Sequence, residues 1–148
     1  MTDYGTIEMT LIERPEDFWA LWDELEDDDS GFIHNRITLL DAFKKGEMYG
    51  LTVKETDSMY SRGADTDELF VKCKGTNSLY LLPCILLLDN EYMKEGNAQI
   101  SIIWVHTRAR RRGFAKKMVN SLSECYENII LSHPLPESIP FWKACGLL

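Results

Sequence analysis

Apolar and polar positions along this chain switch repeatedly between a period near two and a period near 3.6. Residues 8–13 (EMTLIE) alternate well enough to predict a first strand. Pro15 then stands where a helix would open, its missing N–H of no consequence in a first turn. Phe18, Trp19, Leu21, Trp22 and Leu25 recur at helical spacing, so residues 15–27 are expected to be an amphipathic helix that Asp28-Asp29-Ser30-Gly31 breaks. A second helix is expected over residues 34–45, with Ile37, Leu40 and Phe43 on one face and Gly46 as its stop.

Tyr49 to Val53 reads as a short strand and Ser58 to Asp67 as polar loop. Residues 68–74 and 78–89 then predict a hairpin around Gly75-Thr76-Asn77. Pro83 cannot donate to a strand ladder, so a bulge or a strand edge is expected there. The continuous apolar character of residues 97–106 predicts a strand buried on both faces. A helix over 111–126 follows, with Phe114, Ala115, Met118, Val119 and Leu122 as its apolar face. Residues 127–132 predict a strand and 136–145 a short helix that Gly146 ends. The order predicts a mixed α/β layer fold, one domain over residues 1–148, without internal repeat or linker.

Composition narrows the class. Hydrophobic content of 45% with 27% charged residues describes a folded chain rather than a disordered one. No apolar run reaches the ~20 residues of a membrane helix, and the first residues lack signal-peptide character, so a cytoplasmic or nucleocytoplasmic, non-secreted protein is expected. Cys73, Cys84, Cys125 and Cys145 stand far apart without a CxxC and read as small buried hydrophobes; no metal is expected. The formal net charge of −8 argues against general nucleic-acid binding. The charge is segregated: Glu24 and Glu26 to Asp29 form an acidic knot, while Arg108 to Arg112 with Lys116-Lys117 form a basic one. That division suits an anionic cofactor at one place and a cationic acceptor at another; the plainer alternative is two solvated surfaces.

The candidate chemistry lies at residues 105–115. An apolar strand hands over to a basic turn, Arg110-Arg111-Arg112-Gly113-Phe114-Ala115, that opens a helix. A helix start leaves backbone N–H groups without partners and adds partial positive charge, which suits a phosphate or pyrophosphate. Gly113 permits close backbone approach and Ala115 keeps the next contact small.

Arginine, two residues, glycine, one residue and a small residue resembles the diphosphate loop of the GNAT-family N-acetyltransferases. Ser138-Ile139-Pro140-Phe141-Trp142-Lys143-Ala144-Cys145-Gly146-Leu147 is similar to that family's F-Y-x-x-x-G-F segment, with the preceding proline of serotonin N-acetyltransferase and its relatives. The two matches cover residues 68–148, and the element order agrees throughout. The resemblance implies a mixed-sheet acyl-CoA N-acyltransferase fold without the last C-terminal strand or strands that members usually carry, and with them an edge for a homodimer. It implies acetyl-CoA as cofactor, an amine acceptor, and cofactor contacts from Trp104, Val105, Arg110, Arg111, Arg112, Gly113, Phe114, Ala115, Lys116 and Trp142.

The resemblance is thinner at the proton-transfer positions. The family's tyrosine, which protonates the leaving thiolate, corresponds to Trp142, whose indole cannot release a proton near neutral pH. Packing against the pantetheine and plain core burial are both open for Trp142. The family's base positions correspond to Gln99 and Ser101, which can orient a water chain but are not bases. His133 ends a strand before Pro134 and is the better histidine candidate; His106 is read as a surface or structural residue. Glu137, Ser138 and Cys145 are weaker candidates. Catalysis by positioning, with water taking the amine proton, remains adequate for a reactive thioester. The expectation is an N-acetyltransferase acting on a polyamine, another small primary amine or a protein lysine. The alternatives are a non-catalytic acyl-CoA-binding module and, least favoured, an arginine patch for nucleic acid.

Overall fold

In the computed structural model, which describes residues 7–28, 36–54, 71, 79–89, 97–131 and 139–146, the strand and helix order read from the periodicity is realised apart from the strand over 68–74, which lies outside the described residues except for Val71. The elements are β1 (Ile7–Leu11), α1 (Pro15–Asp28), α2 (Arg36–Lys45), β2 (Met48–Lys54), β3 (Leu79–Leu81), β4 (Cys84–Leu88), β5 (Asn97–Val105), α3 (Phe114–Cys125), β6 (Asn128–Leu131) and α4 (Ile139–Ala144). One sheet runs β1-β2-β4-β5-β6, with β3 also on β2. Its pairs are antiparallel except β5–β6, which is parallel. Pro83 separates β3 from β4 as expected, and both lie along β2. Of the predicted hairpin's first arm only Val71 is among the described residues, its N–H donating to Leu81 O at 3.0 Å.

Helices cover both faces. On one side Phe114, Met118, Val119 and Leu122 of α3 and Trp142 of α4 pack on Leu51, Val53, Leu86 and Ile100. On the other, Phe18, Leu21, Trp22 and Leu25 of α1 and Leu39 of α2 pack on Met48, Ile85, Leu87 and Trp104. This two-sided cover explains why every residue of β4 is buried. For β5 the expectation needs amending, because Gln99, Ser101, Ile102, Ile103 and Val105 are only half-buried. In α2 the predicted face is rotated: Leu39 and Ala42 are buried, Leu40 and Phe43 flank them, and Ile37 is 84% exposed. Two overlapping apolar stripes run along that short helix, and packing on β2 and β4 buries the one through Leu39.

The register of β4 on β5 shifts between Leu87, opposite Ile102, and Leu88, opposite Ile100. Ser101 is left unpaired as a β-bulge, which re-aims its side chain. No helix among the described residues is long and apolar enough to cross a membrane.

Candidate cofactor groove and its loop

β5 and β6 pair from Asn97↔Asn128 to Ile100↔Leu131, and β5 runs on to Val105 with no further partner on that side among the described residues. A groove of about 520 Å³ lies along this end of β5. Ile103, Val105 and Phe141 supply apolar wall, and Arg110, Arg111, Gly113 and Lys116 also line it. The N–H of His106 donates to Pro83 O at 2.9 Å, towards β4. Backbone polar groups alternate along a strand, so the N–H and C=O of Val105 face the groove.

The loop is built from two left-handed residues. After a 3-10 turn at Thr107–Ala109, Arg111 adopts φ 64° and Gly113 φ 80°. The helix therefore starts at Phe114 rather than near Arg111, because neither left-handed residue can be part of it. A left-handed φ is unusual for arginine, and a turn of this type gathers backbone N–H groups into an anion-binding concavity. No side chain caps α3, and the first intrahelical bond runs from Lys117 N to Gly113 O at 2.9 Å. The preceding N–H groups face outward at the positive end of the helix dipole. Arg110 Nε donates to Val105 O at 3.0 Å, folding that guanidinium back over the end of the strand.

Glu24, Asp27 and Asp28 of the acidic knot lie directly against this region, so these three carboxylates are not a surface apart from the basic turn. Glu24 pairs with Arg108, and Asp27 Oδ2 lies 2.8 Å from His106 Nε2. Asp28 accepts from Trp104 Nε1 at 2.9 Å and from Thr107 N at 3.0 Å, and its Oδ2 lies 3.7 Å from Arg110 Nη2. Burial raises the Asp28 pKa, but hydrogen bonds from Thr107 and Trp104 and the nearby His106 outweigh it, so its carboxyl is held below the ordinary 3.8. Carboxylates at a helix C-terminus oppose the dipole. That misplaced charge is the sequence signal that α1 ends against a cationic partner.

His106 Nδ1 accepts from Arg108 N at 3.0 Å, so the ring proton sits on Nε2, facing Asp27. With both nitrogens engaged, His106 is a structural residue, as the sequence reading had it.

The remaining candidates divide. Val105, Arg110, Arg111, Gly113, Phe114, Ala115 and Lys116 border the groove, whereas Arg112 is exposed outside its lining. Trp104 borders it too, but its indole is turned to α1. Trp142, read as a cofactor contact or a core residue, is core at 4% exposure. Its neighbour Phe141 lines the groove instead, since adjacent helical residues point about 100° apart. The bulge places Ser101 in a separate depression of about 210 Å³, with Thr38, Asp41, Glu47 and Asp89 on the α2 side. Gln99 is half-buried and lines neither. His133, Glu137 and Ser138 fall outside the described residues. Among the described residues, no tyrosine, histidine or carboxylate lines the groove.

No family model matches the sequence, and no curated protein matches it. Solved structures match the fold. An acetyltransferase of the GNAT family from Bacillus cereus superposes with a TM-score of 0.58 at 17% identity, covering 96% of this chain and 82% of its own. A ribosomal-protein-alanine N-acetyltransferase from Brucella melitensis biovar Abortus gives 0.53 at 13%, covering 94% and 90%. An aminoglycoside N-acetyltransferase in complex with CoA gives 0.54 at 9%, covering 100% and 92%. The fold is that of the GNAT acetyltransferases.

Proposed function

We propose that this protein is an acetyl-CoA-dependent N-acetyltransferase. The observation that carries the reading is the left-handed turn at Arg111 and Gly113, set with Arg110 and Lys116 beside an apolar groove along the C-terminal end of β5. An acyl-pantetheine arm ending in a diphosphate has the matching chemistry: an amide-bearing chain for the strand edge and wall, and an anion for the turn. The structural neighbour crystallised with CoA supports the same assignment.

Acetyl-CoA, when bound, supplies an electrophilic thioester carbon. The chain's own part is to hold and orient it. Arg111, Lys116 and the first N–H groups of α3 meet the diphosphate, and Phe141 with Val105 excludes water from the arm. Backbone N–H groups on the groove side of β5 can donate to an oxygen on which negative charge develops. No described groove residue is a base, so the amine proton passes to water and the rate rests on positioning.

The acceptor we favour is a primary amine, either a polyamine or other small amine, or a protein lysine. The net charge of −8, with Glu47 and Asp89 near Ser101 in the second depression beside the Asp41–Lys45 pair, supports a cationic one. Coenzyme A release is measured with polyamines, arylalkylamines and lysine peptides. The reading fails if none exceeds background. The absence of a base in the described groove supports a second reading, an acyl-CoA-binding module without turnover. Thermal stabilisation by acetyl-CoA, compared with CoA and no ligand, followed by turnover assay separates the two.

A further inference from the structure

We infer that Asp28 is the positioning residue of the diphosphate turn, acting across the sheet from the end of α1. The inference rests on the cofactor reading above. One carboxylate, whose side chain is 2% accessible, reaches three parts of the loop's frame. It accepts from the indole of Trp104 in the strand that feeds the loop, and from the N–H of Thr107 in the 3-10 turn. Its third neighbour is Arg110 Nη2 at 3.7 Å. Val105 O takes the Nε of the same arginine, so the guanidinium is held from two sides just before the left-handed residues begin. The neighbouring carboxylates differ. Glu24 and Asp27 hold Arg108 and His106, neither of which lines the groove.

Electrostatics and positioning predict opposite signs here. A buried negative charge beside an anion site repels the anion, so on charge alone its removal tightens binding. If the carboxylate instead holds the turn in its binding shape, its removal weakens binding, because the loop must then be ordered by the ligand itself.

The test compares CoA with pantetheine, which lacks the diphosphate, on purified wild type, Asp28→Asn and Glu24→Gln by calorimetry. For Asp28→Asn we expect CoA affinity to fall about tenfold, the size of a lost hydrogen bond to a charged group. Pantetheine affinity stays as it is, and in turnover the KM for acetyl-CoA rises with kcat retained. Glu24→Gln lowers Tm while the ratio of CoA to pantetheine affinity holds. Equal or tighter CoA binding by Asp28→Asn, or a parallel loss of pantetheine, overturns the inference alone. A wild type that binds no CoA overturns the cofactor reading and the inference with it. Should Asp28→Asn not fold, amide exchange on the ligand-free wild type decides. Slower exchange at Thr107 than at Arg112 and Gly113 supports a pre-ordered turn, and equal rates overturn it.

Discussion

The indole N–H of Trp104, one residue from the end of β5, donates to the carboxylate of Asp28 at the end of α1, 2.9 Å away and 76 positions apart in sequence. Together with the bond from Thr107 N, it gives a helix terminus with unfavourable charge a fixed partner in the fold.

Acid stability follows from this pair. The Asp28 pKa is lowered on folding, so the charged carboxylate contributes stability above its unfolded value, and the contribution is lost as pH falls through the lower folded value. Asp28→Asn cannot titrate. It should therefore be less stable than wild type by about 1–3 kcal/mol near neutrality, with the gap narrowing once the pH drops below the ordinary aspartate value. Urea unfolding of both proteins across the acid range measures it. A gap that widens towards low pH would contradict the assignment.

Phe141 and Trp142 are adjacent, with ring centroids 4.8 Å apart, yet they face different surroundings. Trp142→Ala should cost about 3–5 kcal/mol as a core truncation, which threatens the fold outright. Trp142→Phe keeps the core filled and should leave CoA affinity within twofold, whereas Phe141→Ala should weaken it by about three- to tenfold from lost apolar contact. Paired denaturation and calorimetry measure both effects. Larger loss of CoA binding from Trp142→Phe than from Phe141→Ala would return Trp142 to the groove.

The legible parts of the sequence were those set by local periodicity. Phe18, Leu21, Trp22 and Leu25 announced α1, and Pro83 announced the break between β3 and β4. In α2, by contrast, spacing pointed to the stripe through Ile37, Leu40 and Phe43, and packing of the helix on β2 and β4 buried Leu39 and Ala42 instead. The helix start was misplaced because Arg111 and Arg112 are good helix formers, while a left-handed arginine has no local sequence signature. The joining of Glu24, Asp27 and Asp28 to residues 104–110 is tertiary, and charge segregation alone pointed to two separate surfaces. The basic turn after β5 stood out in the sequence; the carboxylate of Asp28 that meets it did not.

Thiol reactivity should divide by burial. Among the described residues Cys84 is fully buried, and that burial pushes its thiol up to about 12, while Cys125 is exposed on α3, against the expectation that all cysteines are core. Iodoacetamide on the native protein should label Cys125 and leave Cys84 unmodified until denaturant is added. Peptide mass spectrometry reads the order. Native labelling of Cys84 at a rate comparable with Cys125 would show that β4 opens without global unfolding.

Two glycines offer a matched test of the turn. Gly46 and Gly113 have similar positive φ values, 73° and 80°, and a Cβ built on either meets no atom within 4 Å. Alanine at each should therefore cost a comparable ~1–2 kcal/mol of left-handed strain, without a clash. Their surroundings differ in function: Gly46 ends α2, whereas Gly113 precedes the open N–H groups at the groove. A methyl at Gly113 occupies the space a phosphate oxygen would approach and pulls the turn out of its concave shape. Gly113→Ala should lose at least tenfold in CoA affinity, while Gly46→Ala, equally destabilised, should bind as wild type does. The two variants are compared at matched Tm deficit by calorimetry. Equal affinities would detach the turn from the diphosphate, because strain alone would then account for everything the glycine does.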